Sequence, residues 1–392
     1  MKKKIAVVYN QMVVGGAEKA LLGFLEAIDT DKYDITLYTY NDKGAFFEDI
    51  SRNFPVQFTE CIDSKKVLID DMKCFRIFKV FKGIYYRIMA RLCRDEHIKL
   101  RYSIQTYPKF PEEYDCAIAY YLNLENTITA IKRINASKTC AIMHADLDRV
   151  SLLLDQYMDL ITQLDKVFCV SNQCKEKIDS AYMRLKNKTE VMHNILLSEQ
   201  IHNHANEQLS DNQFPHGEIQ ILTVGRLSAE KGQQMIPAVA RMLLETGYNF
   251  CWNLVGDGFL RSEIEAEIQK YNVQDCVKLL GTRLNPYPYI KNCDIYVQPS
   301  FSECYCTTTM EAKVLCKPVV TTDAPGMREQ FVSGENGLIV DAMTPEALFE
   351  GIRTLLDHPE LRRKFEEKLK EESFDDAANA KELQKLYDFI ES

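Results

Sequence analysis

Short apolar runs of strand length alternate with segments of helical periodicity along both halves of the chain. The runs in the first half are 5–9, 35–40, 56–58, 114–120, 139–143 and 166–170. The runs in the second half are 219–224, 250–255, 277–280 and 293–297. Strands that are rich in β-branched residues and separated by helices form parallel sheets covered on both faces. The alternation therefore predicts an α/β fold with one doubly wound parallel sheet in each half.

A polar stretch without sustained apolar periodicity, 196–217, separates the two halves. With 392 residues, of which 46% are apolar, the chain is long enough for two domains that each have a core. A polar segment between two such units is typical of an interdomain linker. We therefore predict a first domain over 1–205 and a second domain over 206–374.

The composition excludes several classes of protein. The formal net charge of −9 argues against nucleic acid as a partner. The thirteen cysteines are odd in number and have no repeated spacing, which predicts free thiols in a reducing cytoplasm and neither a disulfide framework nor a zinc site. Residues 1–10 contain only a short apolar run, and no run reaches eighteen apolar residues, so the sequence predicts neither a signal peptide nor a membrane span.

The stretch 299–340 follows directly on the last apolar run and soon turns into a helical pattern. Its loop carries Glu303, the threonines from Thr307 onwards are typical helix caps, and Glu311 falls about one turn inside the helix. The N–H groups and partial positive charge of a helix N-terminus suit a phosphate, and the flanking carboxylates suit sugar hydroxyls. The pattern favours a nucleotide-sugar site. The alternative is that Glu303 helps to cap the helix and Glu311 is solvated.

Two glycine turns also lie between a predicted strand and a predicted helix. Gly15 and Gly16 precede a helical pattern without the spacing of the dinucleotide-binding fingerprint, so a simple tight turn is the alternative. In the second half, Gly225 is followed by Arg226 and by Lys231 five residues later. Cations beside a helix start are suited to two phosphates, although such residues are often plain surface charges.

His144 follows the run 139–143, at the carboxyl end of a predicted strand, where α/β sheets place their ligands. A buried, hydrogen-bonded core histidine is the alternative reading. Asp146 and Asp148 have the spacing of a D-x-D metal motif, but two acids at this distance are frequent by chance. We therefore predict no metal site.

The stretch 299–340 resembles the donor-site signature of retaining glycosyltransferases of the GT-B fold, family 4. The shared features are a Pro-Ser, two Glu separated by seven residues with Ala after the second, then Lys-Pro-Val-Val, a Gly before a Glu, and Asn-Gly-Leu. The segment 225–232 is similar to the G-R-L-x-x-x-K-G of that family. Many relatives have glycine where this chain has Cys304 and Cys306, and a Cβ there narrows how closely the backbone approaches a phosphate.

The resemblance implies two Rossmann-like domains that face each other across a cleft, with residues 375–392 forming a helix that returns to the first domain. It implies that His144 and Glu303 contact the sugar of a nucleoside-diphosphate sugar, in the first place a UDP-sugar. It also implies that Arg226 and Lys231 bind the diphosphate. The residues implied for donor binding are Gly15, Gly16, Arg226, Lys231, Arg283, Tyr305, Cys306, Thr307, Thr308 and Glu311, the last through the ribose.

The function implied by the resemblance is retaining, metal-independent transfer of a glycosyl group, of the hexosyltransferase type. The acceptor would be a saccharide or a lipid-linked saccharide in the biosynthesis of a bacterial surface polysaccharide, and no cofactor is needed. Two alternatives stay open. A glycoside hydrolase would use Glu303 and Glu311 as its carboxylate pair, but it leaves Arg226 and Lys231 without a role. A non-catalytic nucleotide-sugar-binding subunit at the membrane would keep the same site.

The segment 65–101 differs in charge from the rest of the chain, because it carries eleven Lys or Arg against four Asp or Glu. Its apolar residues recur at helical spacing: Phe75, Phe78, Phe81, Tyr85, Ile88 and Leu92. One interpretation is a surface helix whose apolar side packs on the domain core. The other is a basic amphipathic surface that binds anionic lipid. The second interpretation predicts a cytoplasmic protein attached peripherally to the inner face of the cell membrane.

Overall fold

The computed structural model describes residues 2–9, 15–39, 47–58, 77–92, 102, 109–209, 219–372 and 376–392. The strands of a first sheet are β1 (Lys3–Val8), β2 (Tyr33–Thr39), β3 (Val56–Phe58), β4 (Glu113–Ala119), β5 (Asn135–Met143), β6 (Lys166–Cys169) and β7 (Thr189–Val191). The strands of a second sheet are β8 (Ile219–Val224), β9 (Phe250–Val255), β10 (Val277–Gly281), β11 (Ile295–Gln298), β12 (Val319–Thr322) and β13 (Leu338–Val340).

Helices separate most of these strands. The α-helices up to residue 205 are α1 (Gly16–Ala27), α2 (Phe47–Asn53), α3 (Ile77–Leu92), α4 (Leu124–Ile128), α5 (Leu147–Ile161), α6 (Asn172–Ala181) and α7 (Ser198–Ala205). Those that follow are α8 (Ile236–Glu245), α9 (Arg261–Lys270), α10 (Tyr287–Asn292), α11 (Thr307–Val314), α12 (Met327–Gln330), α13 (Pro345–Asp357), α14 (Pro359–Glu371) and α15 (Asp376–Glu391). A π-helical turn, Thr129–Arg133, and two 3₁₀ turns, Ala229–Lys231 and Gln233–Met235, complete the described helical structure.

All the paired strands of both sheets run parallel. The spatial order is β3-β2-β1-β4-β5-β6-β7 in the first sheet and β10-β9-β8-β11-β12-β13 in the second. The α/β prediction with two doubly wound parallel sheets is confirmed. In each sheet the chain starts at a central strand, moves to one edge and then crosses to the other side. The order therefore reverses beside β1 and beside β8, and a crevice forms there at the carboxyl ends of the strands.

Burial explains why the strands read as continuous apolar runs. In β1, the side chains of Ile5, Val7 and Val8 are fully buried, and in β9 the same holds for Trp252. A parallel strand covered by helices on both faces has no solvent side, so it needs apolar residues at every position. The turns that follow these strands are therefore where polar side chains enter the sheets.

The polar linker predicted for 196–217 contains a helix, which the prediction missed. Helix α7 is eight residues long and buries Ile201 and Ala205. Both side chains join an apolar cluster that includes Leu222 of β8, so α7 packs against the second sheet. Two buried positions four residues apart are too few to produce a visible periodicity. Residues 210–217 of the predicted linker lie outside the described residues.

Helix α15 packs against the first sheet although it follows the second sheet in sequence. Its buried Leu386 and Phe389 belong to the apolar core of the first sheet, where the ring of Phe389 lies 6.0 Å from that of Phe168. The side-chain amide of Asn379 donates to the carbonyl oxygen of Leu196 at 2.7 Å, and the Leu196 N–H donates back at 3.3 Å. The chain thus passes twice between the two sheets, and Asn379 joins the two passages.

Within the segment 65–101, the described residues are those of α3. The side chains of Phe81, Tyr85, Ile88 and Leu92 lie on one side of α3, and each is more than half exposed. Helix α3 therefore turns apolar side chains to solvent, unlike a helix whose apolar side packs on a core. Among the described helices, none has both the length and the apolar character to cross a membrane.

Candidate active site

A cavity of about 660 Å³ lies between the carboxyl ends of the two sheets and is lined from both. The sequence-predicted residues on its wall are Gly15, Gly16, His144, Arg226, Lys231, Arg283, Glu303, Tyr305, Thr307 and Thr308. Cys306 and Glu311 lie behind this wall, and both are buried. The fold thus brings residues from 15 to 308 to one place, because the strand ends that carry them face each other.

Glu303 lies in the turn between β11 and α11 and is held by a chain of hydrogen bonds. The Gln298 amide donates to Ser300 Oγ at 2.8 Å, and Ser300 Oγ donates to Glu303 Oε1 at 2.7 Å. Lys231 Nζ contacts both carboxylate oxygens of Glu303, at 2.7 and 2.9 Å. Since all of these groups are largely buried, the carboxylate is fixed at the cavity wall and is not simply a solvated helix cap.

Lys231 reaches Glu303 from the turn after β8. Gly232, the next residue, has a φ of +69°, and a Cβ there would come within 1.9 Å of the Pro299 carbonyl oxygen. Only glycine therefore permits this close approach of the two loops. Burial acts to lower the pKa of the Lys231 ammonium, but the Glu303 carboxylate outweighs this effect and raises it. Lys231 is thus a stable cation at the cavity wall.

Two helix N-termini meet across the cavity. Helix α1 begins after Gly15 and α11 begins after Cys306, and neither cap residue makes a side-chain hydrogen bond to its helix. The predicted threonine cap is therefore wrong: Thr307 is already the first helical residue. A Cβ on Gly16 would come within 2.6 Å of Thr307 Oγ1, so the two termini are in close contact. Their first N–H groups and positive dipole ends form a place suited to an anion.

Arg226 extends from the second domain towards this pair of helix ends. Its Nη2 lies 3.6 Å from the position of a Cβ on Gly15, and its positive charge acts on the carboxyl group of Glu18. Arg226 and Lys231 therefore stand on the same wall as the ends of α1 and α11. Two cations and two helix N-termini, whose dipoles favour an anion, therefore line the same cavity.

Glu311 is fully buried in α11 and forms an ion pair across the cleft. Its Oε1 accepts from Lys19 Nζ at 2.6 Å and from the Tyr287 hydroxyl at 3.4 Å. Its Oε2 is buried and has no hydrogen-bond partner among the described residues. The alternative of a solvated surface position is therefore excluded. Lys19 was not singled out from the sequence, since its partner lies on the other domain.

His144 lies directly after β5, as predicted, between two tyrosine rings. The ring of Tyr120 lies 5.0 Å away and that of Tyr121 stacks on it at 6.1 Å. The imidazole hydrogen-bonds with the Tyr120 backbone and the Asn194 side chain, while Nε2 is buried without a partner among the described residues. Burial lowers the pKa of His144 to about 4. The ring is neutral at physiological pH, with one polar atom unused.

Glu18, which follows the glycine turn in sequence, also lines the cavity. It is buried one turn from Gly15, and the hydroxyl of Tyr9 donates to its Oε1 at 2.7 Å. Burial raises the pKa of Glu18, and the Tyr9 hydrogen bond and the Arg226 charge oppose that rise. In the sequence, the Ala17-Glu18 pair directly after the two glycines, which resembles the corresponding loop of family 4, pointed to this residue.

The two cysteines that stand where many members of the resembled family have glycine are both buried. Cys304 packs into the apolar core of the first sheet, with its Sγ 3.9 Å from the carbonyl oxygen of Met143. Cys306 is buried at the start of α11, and its Sγ lies 3.3 Å from Thr308 Oγ1. Cys304 therefore adds an apolar contact between the turn that joins β11 to α11 and the first domain.

Asp146 uses its carboxylate within the protein. It accepts from the Leu147 N–H at 2.8 Å at the start of α5, and Lys177 Nζ lies 3.1 Å from it. The side chain of Asp148 lies outside the described residues. The described part of the chain contains no group of three or more His, Cys, Asp or Glu arranged to hold a metal ion.

Comparisons with known proteins bear on the family and the fold of the chain. Residues 205–372 match the family described as "Glycosyl transferases group 1". The chain is 27% identical over 375 residues to N-acetylgalactosamine-N,N'-diacetylbacillosaminyl-diphospho-undecaprenol 4-alpha-N-acetylgalactosaminyltransferase of Campylobacter jejuni, with 94% of each chain covered. Among solved structures, it superposes on Anabaena Alr3699/HepE in complex with UDP and glucose with a TM-score of 0.72, at 17% identity and 100% coverage of both chains. TarM of S. aureus gives a TM-score of 0.71 at 12% identity, again with 100% coverage of both chains.

The low pKa of His144 predicts a pH dependence of stability. The unfolded chain binds a proton at this histidine near pH 6.5, whereas the folded protein does so only near pH 4. As the pH falls through this window, the unfolded state gains a proton that the folded state does not, so the free energy of unfolding decreases. Urea unfolding at pH 7 and pH 4.5 should show a larger decrease for the wild type than for His144→Asn. An equal decrease in both proteins would contradict a neutral, buried ring.

Proposed function

The chain is a group 1 glycosyltransferase with the GT-B fold, and from this premise we propose that it transfers a glycosyl group from a nucleoside-diphosphate sugar with retention of configuration and without a metal ion. The observation that carries the proposal is that Arg226, Lys231 and two helix N-termini without a side-chain cap line the same cavity. This set of groups matches a diphosphate in charge and in hydrogen-bond donors. Glu303 and His144 line the same cavity, and we assign them to the sugar that is attached to the diphosphate.

The leaving diphosphate determines the chemistry. As the bond between the anomeric carbon and the phosphate oxygen breaks, negative charge grows on the diphosphate, and the fixed cations stabilise it. The acceptor oxygen forms the new bond on the same face, and its proton passes to the departing phosphate oxygen. No protein nucleophile is needed in this mechanism. Glu303 binds sugar hydroxyls and offsets positive charge at the anomeric carbon, and the neutral His144 contacts the sugar through its unused Nε2.

The donor proposed is a UDP-sugar. Glu311 would bind ribose hydroxyls through Oε2, which has no partner among the described residues. The turn that carries Arg283, beside Gly281 with its φ of +73°, lines the same cavity and would receive the base. The Anabaena protein of the same fold was solved with UDP and glucose, which supports uridine as the nucleoside.

The acceptor proposed is a saccharide carried on a lipid, in the biosynthesis of a surface polysaccharide. The Campylobacter jejuni relative is named for a diphospho-undecaprenol acceptor, and it is matched over 94% of its length. A lipid-linked acceptor requires the enzyme to work at a membrane. Helix α3 offers exposed Phe81, Tyr85, Ile88 and Leu92, with exposed Lys82 and Arg91 on the same helix. We assign this helix to the membrane surface, where apolar side chains insert and cations meet anionic headgroups.

A panel of nucleotide-sugars tests the donor and the reaction class together. Incubation with each donor and an undecaprenyl-diphosphate-linked saccharide should release UDP only with the correct donor, and the product should carry the sugar in the configuration of the donor. Activity should survive a chelator, because Arg226 and Lys231 take the place of a metal. Free sugar without acceptor transfer would instead indicate a hydrolase, and UDP-sugar binding without turnover would indicate a scaffold subunit. Loss of activity on chelation, restored by Mn²⁺, would refute metal independence.

Lys231→Ala should lower turnover more than donor affinity. Lys231 faces the group on which charge develops, so it interacts more strongly with the transition state than with the bound donor. By analogy with the loss of one preorganised donor to a developing anion, we expect kcat to fall by about a hundredfold or more. Lys270→Ala, which removes an exposed lysine of the same domain paired with Glu267, is the matched control. A kcat of Lys231→Ala within twofold of the control would place the diphosphate elsewhere.

The membrane assignment predicts salt-sensitive binding to vesicles. The protein should sediment with vesicles that contain anionic lipid at low salt and be released at high salt, because charges at a surface are screened within about 8 Å at physiological ionic strength. The double variant Lys82→Glu and Arg91→Glu should lose sedimentation, and Leu92→Ser should weaken it. Reversal of Arg241 and Lys270, exposed on the second domain, is the control. Equal sedimentation of all variants would mean that α3 does not bind the membrane and is an ordinary surface helix.

A further inference from the structure

We propose that Lys19 is a positioning residue for the nucleotide: from the first domain, it holds the Glu311 carboxylate of the second domain in the orientation that receives the ribose. This inference rests on the proposed function, since it assumes that Glu311 binds ribose hydroxyls. It adds a residue that neither the sequence pattern nor the comparisons assign. It also gives a physical link between recognition of the nucleoside and closure of the cleft.

Among the described residues, the Glu311 carboxylate has hydrogen-bond partners at only one of its two oxygens. Lys19 Nζ lies 2.6 Å from Glu311 Oε1 and 4.8 Å from the centre of the Tyr287 ring, and the Tyr287 hydroxyl also reaches Oε1. Both contacts go to the same oxygen. Oε2 is left buried and without a partner among the described residues. One oxygen of the carboxylate is thus paired within the protein, and the other lies behind the cavity wall, where a ligand that displaces part of this wall can donate a hydrogen bond to it.

The ion pair between Lys19 and Glu311 is largely buried. The side chain of Glu311 is fully buried, and that of Lys19 is only 12% exposed. Within the described part of the chain, Lys19 is the only cation recorded in contact with Glu311. Removing one member of a buried ion pair leaves the other charge uncompensated, and the remaining group then moves towards water or becomes neutral. Without Lys19, the carboxylate would therefore lose the contact that fixes its orientation towards the ribose.

The ion pair between Lys19 and Glu311 joins the two domains. Lys19 lies in the first turn of α1, where its N–H donates to the carbonyl oxygen of Gly15, and Glu311 lies in α11. The same two helices approach each other at Gly16 and Thr307. A separation of the domains would break the ion pair, while a closed cleft preserves it. Glu311 is consequently oriented for the ribose only when the glycine turn is also in place beside the diphosphate site.

The test compares two nucleotides that differ only in the ribose. Calorimetry of the full chain with UDP and with 2′,3′-dideoxyuridine diphosphate gives a Kd for each, and their ratio reports the ribose contacts alone. The wild type should prefer UDP by about tenfold or more, as expected for hydrogen bonds to a charged group. Lys19→Met should weaken UDP binding by a similar factor and bring the ratio close to one. Lys19→Arg, which keeps the cation, should restore most of the preference.

Two controls separate positioning from general destabilisation. Lys32→Met removes an exposed lysine of the same domain that pairs with Asp29, and it should change neither Kd. A variant that only loosened the fold would weaken both nucleotides equally and keep their ratio. Lys19→Gln, which retains a hydrogen-bond donor, is measured beside Lys19→Met, so that the inference can be tested even where Lys19→Met folds poorly.

The outcomes distinguish this inference from the proposed function. If Glu311→Gln abolishes the preference for UDP but Lys19→Met and Lys19→Gln keep it, Lys19 has no positioning role and the ribose assignment stands. If Glu311→Gln keeps the preference, the ribose assignment is wrong and the role of Lys19 is overturned with it. Tighter UDP binding in Lys19→Met would also overturn the inference, because it would mean that Lys19 competes with the ribose.

Discussion

The ion pair between Lys231 and Glu303 joins the two loops of the second sheet from which the site is built. This ion pair is possible only because Gly232 lets the turn after β8 lie against the Pro299 carbonyl oxygen. The Phe301 N–H also donates to the Glu230 carbonyl oxygen, at 2.8 Å. Charges in such a partly buried place interact more strongly than at the surface. The second carboxylate, Glu311, also has a lysine partner. Two carboxylates of the cleft are therefore each held by a lysine, and their orientation is set within the protein.

Much of the sheet architecture follows from the sequence, because a parallel strand covered on both faces is a continuous apolar run. The runs predicted at 56–58, 219–224 and 250–255 have the same bounds as β3, β8 and β9. His144 could be placed at a strand end for the same reason. Strands β12 and β13 were not predicted as strands, because both lie within the stretch 299–340, whose residues were interpreted only as a candidate site.

The partners of the site residues could not be predicted in the same way. Lys19 and Glu311 are separated by 292 positions, and nothing local to either residue indicates the other. The start of α11 shows a similar limit. The sequence identifies threonines that are able to cap a helix, but the fold decides that the cap is Cys306 and that it makes no side-chain bond. Propensity describes what a residue can do, while its use depends on what the rest of the chain brings near it.

The double passage of the chain between the two sheets limits how the cleft can move. One passage runs beside Leu196 and the other precedes α15, and the two hydrogen bonds of Asn379 to the Leu196 backbone hold them together. These two bonds tie the start of α15 to the stretch of chain between β7 and α7. A motion that opens the cleft would therefore have to pivot close to Leu196 and Asn379, because the two connections are held side by side there.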